Sequence, residues 1–470
     1  MIIEHANALL EKGLQSFKGH LCGLAVDGAT IFDKHTYAFI LVHPHGLRLA
    51  GIKLVDDQRG YTLGAATADV INDCHAHGIA ISGVVSDNTH SLVSAPTNMN
   101  PDDPLSLRVL IGMAVLRCAC SAHTGQLAVI DVIKTSATLD RFFRDVTGLL
   151  NWISHRCTEF KKVCSLKLPK FIATRWNTLA SCGNFIIENR KCVDDFLERR
   201  IKEEQNAFLE ELQTFNDGRK KNAPDPPSFP PVRKVPDVWE LYVKALNVIA
   251  AFTDSIEGDL QLQQQVYTSV IKAEAALGSM SASGNIIAKH LLDAFETRFK
   301  TTADLTLSHL AFVFTPDRLS LHQSMPEGRE KTNTHKKLKD KFLEIAQVLD
   351  VQAIGPAAIF LPATFDNYIK FASIGAGEDP FIFWENKASE SISIPQVNGN
   401  FPISLNIFAT IALILISLPA SEAIVERAFS QLKAIATDFN KSTANDLFIA
   451  LSVIKLCTRY KNKYSMNILK

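Results

Sequence analysis

Three carboxylates stand where short apolar runs stop or where a helix meets them. Asp27 closes the run Leu21–Asp27 (LCGLAVD) and precedes Gly28, while Asp87 follows the run Ile79–Ser86 (IAISGVVS). Carboxylates at the ends of adjacent strands resist joint ionisation unless a divalent cation sits between them. A third carboxylate delivered by a helix, such as Glu426 in ASEAIVERAFSQLKAIA, would complete a set able to hold two ions ~4 Å apart. Such a site suits in-line attack on a phosphodiester: one ion activates the incoming water or hydroxyl, and the other stabilises the leaving oxygen. Singly each acid says little. An Asp after a strand is most often a turn residue, and Glu426 alone reads as a solvated helix residue.

The elements that must bring these acids together begin in the first 90 residues. Leu21–Asp27, Tyr37–His43 (YAFILVH) and Leu47–Val55 (LRLAGIKLV) are short β-forming runs, with a His43-Pro44-His45-Gly46 turn between the second and third. Over Thr62–His77 the apolar residues Leu63, Ala66, Val70, Ile71 and Cys74 recur at helical spacing, with Gly78 as C-cap. Ile79–Ser86 is then a fourth strand. This order predicts a mixed sheet of three antiparallel strands and a crossover that returns the fourth parallel to a neighbour.

From about Ser154 to Glu390 long helical stretches dominate, such as Asn184–Phe215 and Val238–Ile256. The proline-rich loop Pro224–Pro236 (PDPPSFPPVRKVP) interrupts them. A second, polar and basic loop is expected around Ser324–His335. Ile407–Leu418 (IFATIALILISL) is the most apolar stretch, yet it is shorter than the ~20 residues of a bilayer span. It reads as a buried helix. In the helix after Pro419, Ile424, Ala428, Leu432 and Ile435 share one face, while Glu422, Glu426 and Lys433 lie off it.

The 470-residue chain balances 49 Lys+Arg against 49 Asp+Glu, which argues against a protein that coats nucleic acid non-specifically. The charge is unevenly spread: residues 156–175 hold six basic residues against one acid, and 427–470 hold eight against two. Nine cysteines form no paired framework and read as reduced thiols of an intracellular protein. The start, MIIEHANALLEKG, lacks the apolar core of a signal peptide. No G-x-x-x-x-G-K-[ST] or G-x-G-x-x-G occurs, so neither a nucleotide cofactor nor a membrane is expected as a partner. Cys120 and His123, three apart on an expected helix, read as two buried side chains bracing the core and not as part of a structural zinc site, since a second ligand pair is missing.

In five ordered pieces the chain resembles the hAT superfamily of DNA transposases. GLAVDGAT at 23–30 is similar to that family's first catalytic Asp segment, and GVVSDNTHSL at 83–92 to its second. Cys118-Ala119-Cys120-Ser121-Ala122-His123 resembles its Cys-x-x-His element, and Thr174-Arg175-Trp176-Asn177 its Arg-Trp motif. DPFIFW, FPISLNIFATIALILISLPASEAIVERAFSQLK and LFIALSVIK together resemble its C-terminal dimerisation region. The stretch Pro-Ala-Ser-Glu-x-x-x-Glu-Arg-x-Phe-Ser is the most specific of these.

The resemblance implies an α/β fold: an RNase H-like mixed-sheet core interrupted by a large all-α insertion and completed by C-terminal helices. The expected division is 1–153 for the first part of the core, 154–400 for the insertion with its proline-rich loop at 222–237, and 401–470 for the dimerisation region. It implies that Asp27, Asp87 and Glu426 bind divalent Mg or Mn and perform phosphodiester hydrolysis and strand transfer on DNA. Trp176 takes the position that stacks beside a displaced base, and Arg175 beside it suits a phosphate. The expected partners are DNA and a second copy of the chain, in a homodimer or higher homo-oligomer, and the expected compartment is the nucleus. The chain departs from the family in three ways. Only some 20 residues precede the core where the family has a zinc finger, Ala29 replaces an aromatic after Asp27-Gly28, and ATDFNKSTAND stands where a basic stretch is usual. Two readings stay open: an active Asp-Asp-Glu transposase, and a catalytically inactive, domesticated module that dimerises and binds DNA or chromatin.

Overall fold

The computed structural model describes residues 1–87, 107–111, 115–169, 177–349, 361–371, 379–389, 403–437 and 445–463, apart from the single positions 32, 58, 218, 220, 221, 259, 325 and 327. Helix α1 (Ile2–Gln15) leads into strands β1 (Leu21–Ile31), β2 (Lys34–His43) and β3 (Gly46–Val55). Helix α2 (Gly60–Ala76), β4 (Ala80–Ser86), α3 (Leu107–Ile111) and β5 (Leu116–Ala119) follow. The five strands form one mixed sheet in the order β3-β2-β1-β4-β5. β1 and β3 flank β2 antiparallel, and β4 runs parallel to both β1 and β5. The expected hairpin, helix and parallel fourth strand are all present, and Gly78 ends the α2 turn at φ +75°. β5 was not foreseen, because LRCA is too short to show a period.

Side chains alternate across a strand, and here that divides the core in two. Leu24, Val26, Phe39 and Leu41 point to one face, where they meet Leu14, Phe17, Leu63 and Ile71 of the α1–α2 side. Ala25, Ile40, Val42 and Val85 point to the other, among the later helices.

By its contacts the chain forms two compact units. One comprises residues 125–253 and 272–298, and its described residues are helix and loop. It holds most of α4 (Ser121–Thr135), then α5 (Ala137–Ser154), α6 (Cys157–Cys164), α7 (Asn177–Glu188) and α8 (Arg190–Asn216), and parts of α9 (Trp239–Ile256), α10 (Gln263–Ala282) and α11 (Ile286–Thr301). The expected helix 184–215 is two helices that break at Asn189. The proline-rich loop is non-helical, as its residues require, and it is pinned: Trp152 Nε1 donates to the Ser228 carbonyl at 2.7 Å, and the Val235 amide donates to Asp194 at 2.7 Å. One expectation is overturned here, since Cys164 and Cys192 form a disulfide and only the other seven cysteines are free thiols. Their separation of 28 residues hid the pairing from a reading that sought a spaced framework.

The other unit contains residues 1–124, 254–271 and 299–470. Besides the sheet it holds α12 (Leu305–Val313), α13 (Pro316–Gln323), α14 (Arg329–Val348), α15 (Leu361–Phe371), α16 (Pro380–Ser389), α17 (Ile403–Ser417), α18 (Ala423–Thr437) and α19 (Asn445–Lys463). The described part of 299–400 therefore packs with the sheet, although the expected insertion ran to 400. The cause is composition. α12 is buried on all sides from Leu307 to Val313, and a helix apolar all round needs neighbours on every face. Phe314, just beyond it, meets the rings of Phe342, Phe365, Tyr368, Trp384 and Phe408. The basic loop expected at 324–335 turns helical at Arg329.

α17 is the buried helix expected from its apolar run. Phe408, Ala409, Ile411, Ala412 and Leu415 are fully buried within this chain. Its apolar residues are covered within this chain by the sheet and by α12, α14, α15 and α16.

Candidate active site

Two strands carry the same pattern. β1 reads Gly23-x-Ala25-x-Asp27, and β4 with its next residue reads Gly83-x-Val85-x-Asp87. Their parallel register pairs Gly23 with Gly83 and Ala25 with Val85. Period-two alternation therefore puts Asp27 and Asp87 on one face, two residues beyond the last pair. That face is occupied by the turn that joins α17 to α18.

The glycines make this possible. A Cβ on Gly23 would overlap the Pro419 ring, and a Cβ on Gly83 would come within 2.6 Å of both the Leu116 carbonyl and Leu418. With no side chains there, residues 417–419 lie directly on the sheet. Segment 261–263 clamps the turn from behind: the Gln263 amide donates to Leu418 O at 2.9 Å, the Ala420 amide to Gln261 O at 2.9 Å, and Gln263 Nε2 to Pro419 O at 2.9 Å. The Ser121 amide donates to Ala420 O at 3.0 Å. These bonds deliver the N-terminus of α18, with Glu426 in its first turn, toward the end of β4 and toward Asp27, which does not close β1 as expected but lies inside it, just past the part paired with β4.

The electrostatics place the three acids in one neighbourhood. Asp27 is pushed up to about 7, first by burial and then by the nearby carboxylates of Asp87 and Glu426. The Gly28 amide, which donates to Asp27 Oδ1 at 2.7 Å, and Lys433 pull in the opposite direction. The Tyr37 ring lies so close over Gly28 that no Cβ would fit. An aromatic ring thus packs beside Asp27 after all, supplied by β2 where Ala29 lacks one. Arg117 of β5 donates to the Asp87 carbonyl at 3.0 Å and holds the end of β4.

A fourth carboxyl was missed. Glu422 is 4% exposed and its Oε2 has no hydrogen-bond partner. Burial, and then the charges of Asp27 and Asp87, hold it well above the usual carboxylate range, while the Cys120 thiol hydrogen-bonds to it. On a helical wheel Glu422 lies on the polar side and reads as solvated. The signal against that reading is Pro419-Ala420-Ser421, a turn that starts the helix at Ala423 and folds Glu422 inward.

Cys120 is not on the helix with His123 but immediately before it. Its carbonyl accepts from the Thr124 amide at 3.0 Å and its Sγ from the His123 amide at 3.3 Å, the pattern of an N-cap. Burial pushes the Cys120 thiol well up. Arg175, Trp176 and the second half of the Asp87 segment, 88–92, lie outside the described residues.

The donor set of Asp27, Asp87 and Glu426 is all oxygen, the type that suits Mg or Mn. Burial, with repulsion from Asp87 and Glu426 added to it, holds Asp27 at about 7, and a bound divalent cation would favour its ionised form. No family model matches the chain, and no curated protein matches it. Among the described residues, no helix is long and apolar enough to cross a membrane.

Proposed function

We propose that this chain is a hAT-type transposase or a protein derived from one, built on an RNase H-like core and acting on DNA in the nucleus. Its site of Asp27, Asp87 and Glu426 would bind Mg or Mn, hydrolyse a phosphodiester at an element boundary and join the freed 3′-hydroxyl to target DNA. The observation that carries this reading is the electrostatic coupling of Asp27 in β1 to Asp87, just after β4, and to Glu426 of α18, which helps to raise Asp27. The sheet order β3-β2-β1-β4-β5, with β2 antiparallel to its neighbours, and the helical unit entered after residue 124 are further support for the core.

A bound divalent ion supplies Lewis acidity and a nucleophile at neutral pH. The protein's own part is positional. In this reading the sheet puts Asp27 and Asp87 on one face, the clamped 417–421 turn carries Glu426, and Glu422 adds a carboxyl whose neutral form is favoured by burial. Self-association through 401–470 belongs to the proposal as well. Deleting that region would also remove core helices, so light scattering on the full chain is the proper test of oligomeric state, and a monomer at working concentration would remove that part.

The decisive experiment is calorimetry with Mn²⁺ on wild type and on Asp27→Asn/Asp87→Asn, followed by nicking of supercoiled plasmid. Binding and nicking that both depend on the aspartates are expected. A folded wild type that binds no Mn²⁺ would leave the non-catalytic, DNA-binding module as the reading.

A further inference from the structure

A second cluster of ligand-type side chains lies at the start of β1. His20 precedes the strand, His43 ends β2, and Glu385 comes from α16. Each offers one ligand atom, and the three atoms all lie within 4.8 Å of one another. His20 Nδ1 and Glu385 Oε1 are 3.6 Å apart. Asp27 is seven residues on from His20, roughly 20 Å along the strand, so the cluster is separate from the acidic site.

We infer that His20, His43 and Glu385 form a site for a late first-row divalent cation, Zn²⁺ first among them, with a fourth position open to water. Two imidazoles and one carboxylate are a donor set that suits zinc and not magnesium. Tetrahedral zinc needs its ligand atoms ~3.3 Å apart, as bonds of about 2.1 Å dictate. The His20–Glu385 pair is near that spacing already. These two side chains are 31% and 38% exposed and can close the rest.

His43 is the fixed member. It is fully buried, with its ring centroid 4.9 Å from His20 and 4.7 Å from Phe381. Burial and the neighbouring imidazoles push it down to about 3, so the ring is neutral, the form that binds metal. Its Nδ1 accepts the His45 amide at 3.2 Å, which places the ring proton on Nε2. That Nε2 makes no hydrogen bond, and neither does the buried His20 Nδ1. Two buried ring nitrogens without hydrogen bonds, on histidines grouped with one carboxylate, are what a cation would satisfy. Loading exchanges one bond: ligation through Nδ1 takes its lone pair, and ligation through Nε2 moves the proton to Nδ1. In both cases the His45 amide is released at an exposed turn, where water accepts from it. Cys22 of β1 is not part of this group of converging ligand atoms. The ion would tie α16 to the sheet across more than 300 residues of chain, where a clip gains most.

The test is Zn²⁺ calorimetry and thermal melting on the full chain, comparing wild type, His20→Ala, Glu385→Gln and Asp27→Asn/Asp87→Asn. One Zn²⁺ per chain is expected for wild type and for the double aspartate variant. Affinity should fall about tenfold or more in each ligand variant, and the Zn²⁺-induced rise in Tm should vanish with it. Both replaced side chains are partly exposed, so the variants should fold, and circular dichroism checks this. Unchanged affinity in both ligand variants overturns the site, as does loss of binding in the aspartate variant alone. Neither result depends on whether the acidic centre cuts DNA.

Discussion

A carboxyl held at about 7 makes the metal-free protein respond to pH in a definite direction. An unfolded chain loses the Asp27 proton near roughly 3.9, so between those values the folded chain holds a proton the unfolded one has lost. Stability therefore falls as pH rises through that interval and levels off above it. In chelator, wild type should lose on the order of 2 kcal/mol relative to Asp27→Asn between about pH 4 and about pH 8. Parallel Tm-against-pH curves would contradict this. Mn²⁺ affinity should run the other way, rising up to about tenfold per pH unit below 7 as the competing proton leaves. Glu422 is tested by two substitutions. Glu422→Gln keeps the volume and the neutral state and should cost under about 1 kcal/mol, whereas Glu422→Ala opens a buried void and should cost about 2–4 kcal/mol in urea melts. Asp27, Asp87 and Glu426 stood out in the sequence because their segments resemble a known pattern, and the structure couples them electrostatically. Glu422 did not, because helical periodicity assigns a side chain to a face and says nothing of the turn that buries the start of the helix.

Strands and helices were legible where a period had room to show itself. β1–β4, α2, α17 and the proline-rich break stood out, but four-residue β5 did not, and the 184–215 stretch concealed the interruption at Asn189. Contacts between distant segments were beyond any local pattern. Nothing around Gln263 advertises that it grips Pro419 across 156 residues. The two β-strand glycines are the elements' clearest liability. In Gly83→Ala the new methyl meets the Leu116 backbone at 2.6 Å, a neighbour that cannot rotate away. The substitution should destabilise by about 1–3 kcal/mol and weaken Mn²⁺ binding by displacing α18. Gly83→Ala with wild-type urea midpoint and Mn²⁺ affinity would show that the turn does not rest on the sheet as described.

The whole chain comprises two units whose stabilities have different sources. In the helical unit the Cys164–Cys192 bond closes a loop of 28 residues, worth roughly 3–4 kcal/mol in loop-closure entropy. Dithiothreitol should therefore speed amide exchange in α6 and the first half of α8 and leave β1 and β4 unchanged. Equal acceleration in both regions would mean that the units open as one. The sheet unit has no such staple and depends on its cover. That dependence has a consequence during synthesis. β1 to β5 leave the ribosome about 300 residues before α17 and the turn that seals them, a delay of roughly 15–60 s at ordinary elongation rates. For that time the Gly23–Gly83 face is bare, apolar and unpaired with its partner helix. A nascent chain of this protein is thus a natural client for a chaperone that shields sheet faces, and its yield in cells should depend on one more than its finished stability suggests.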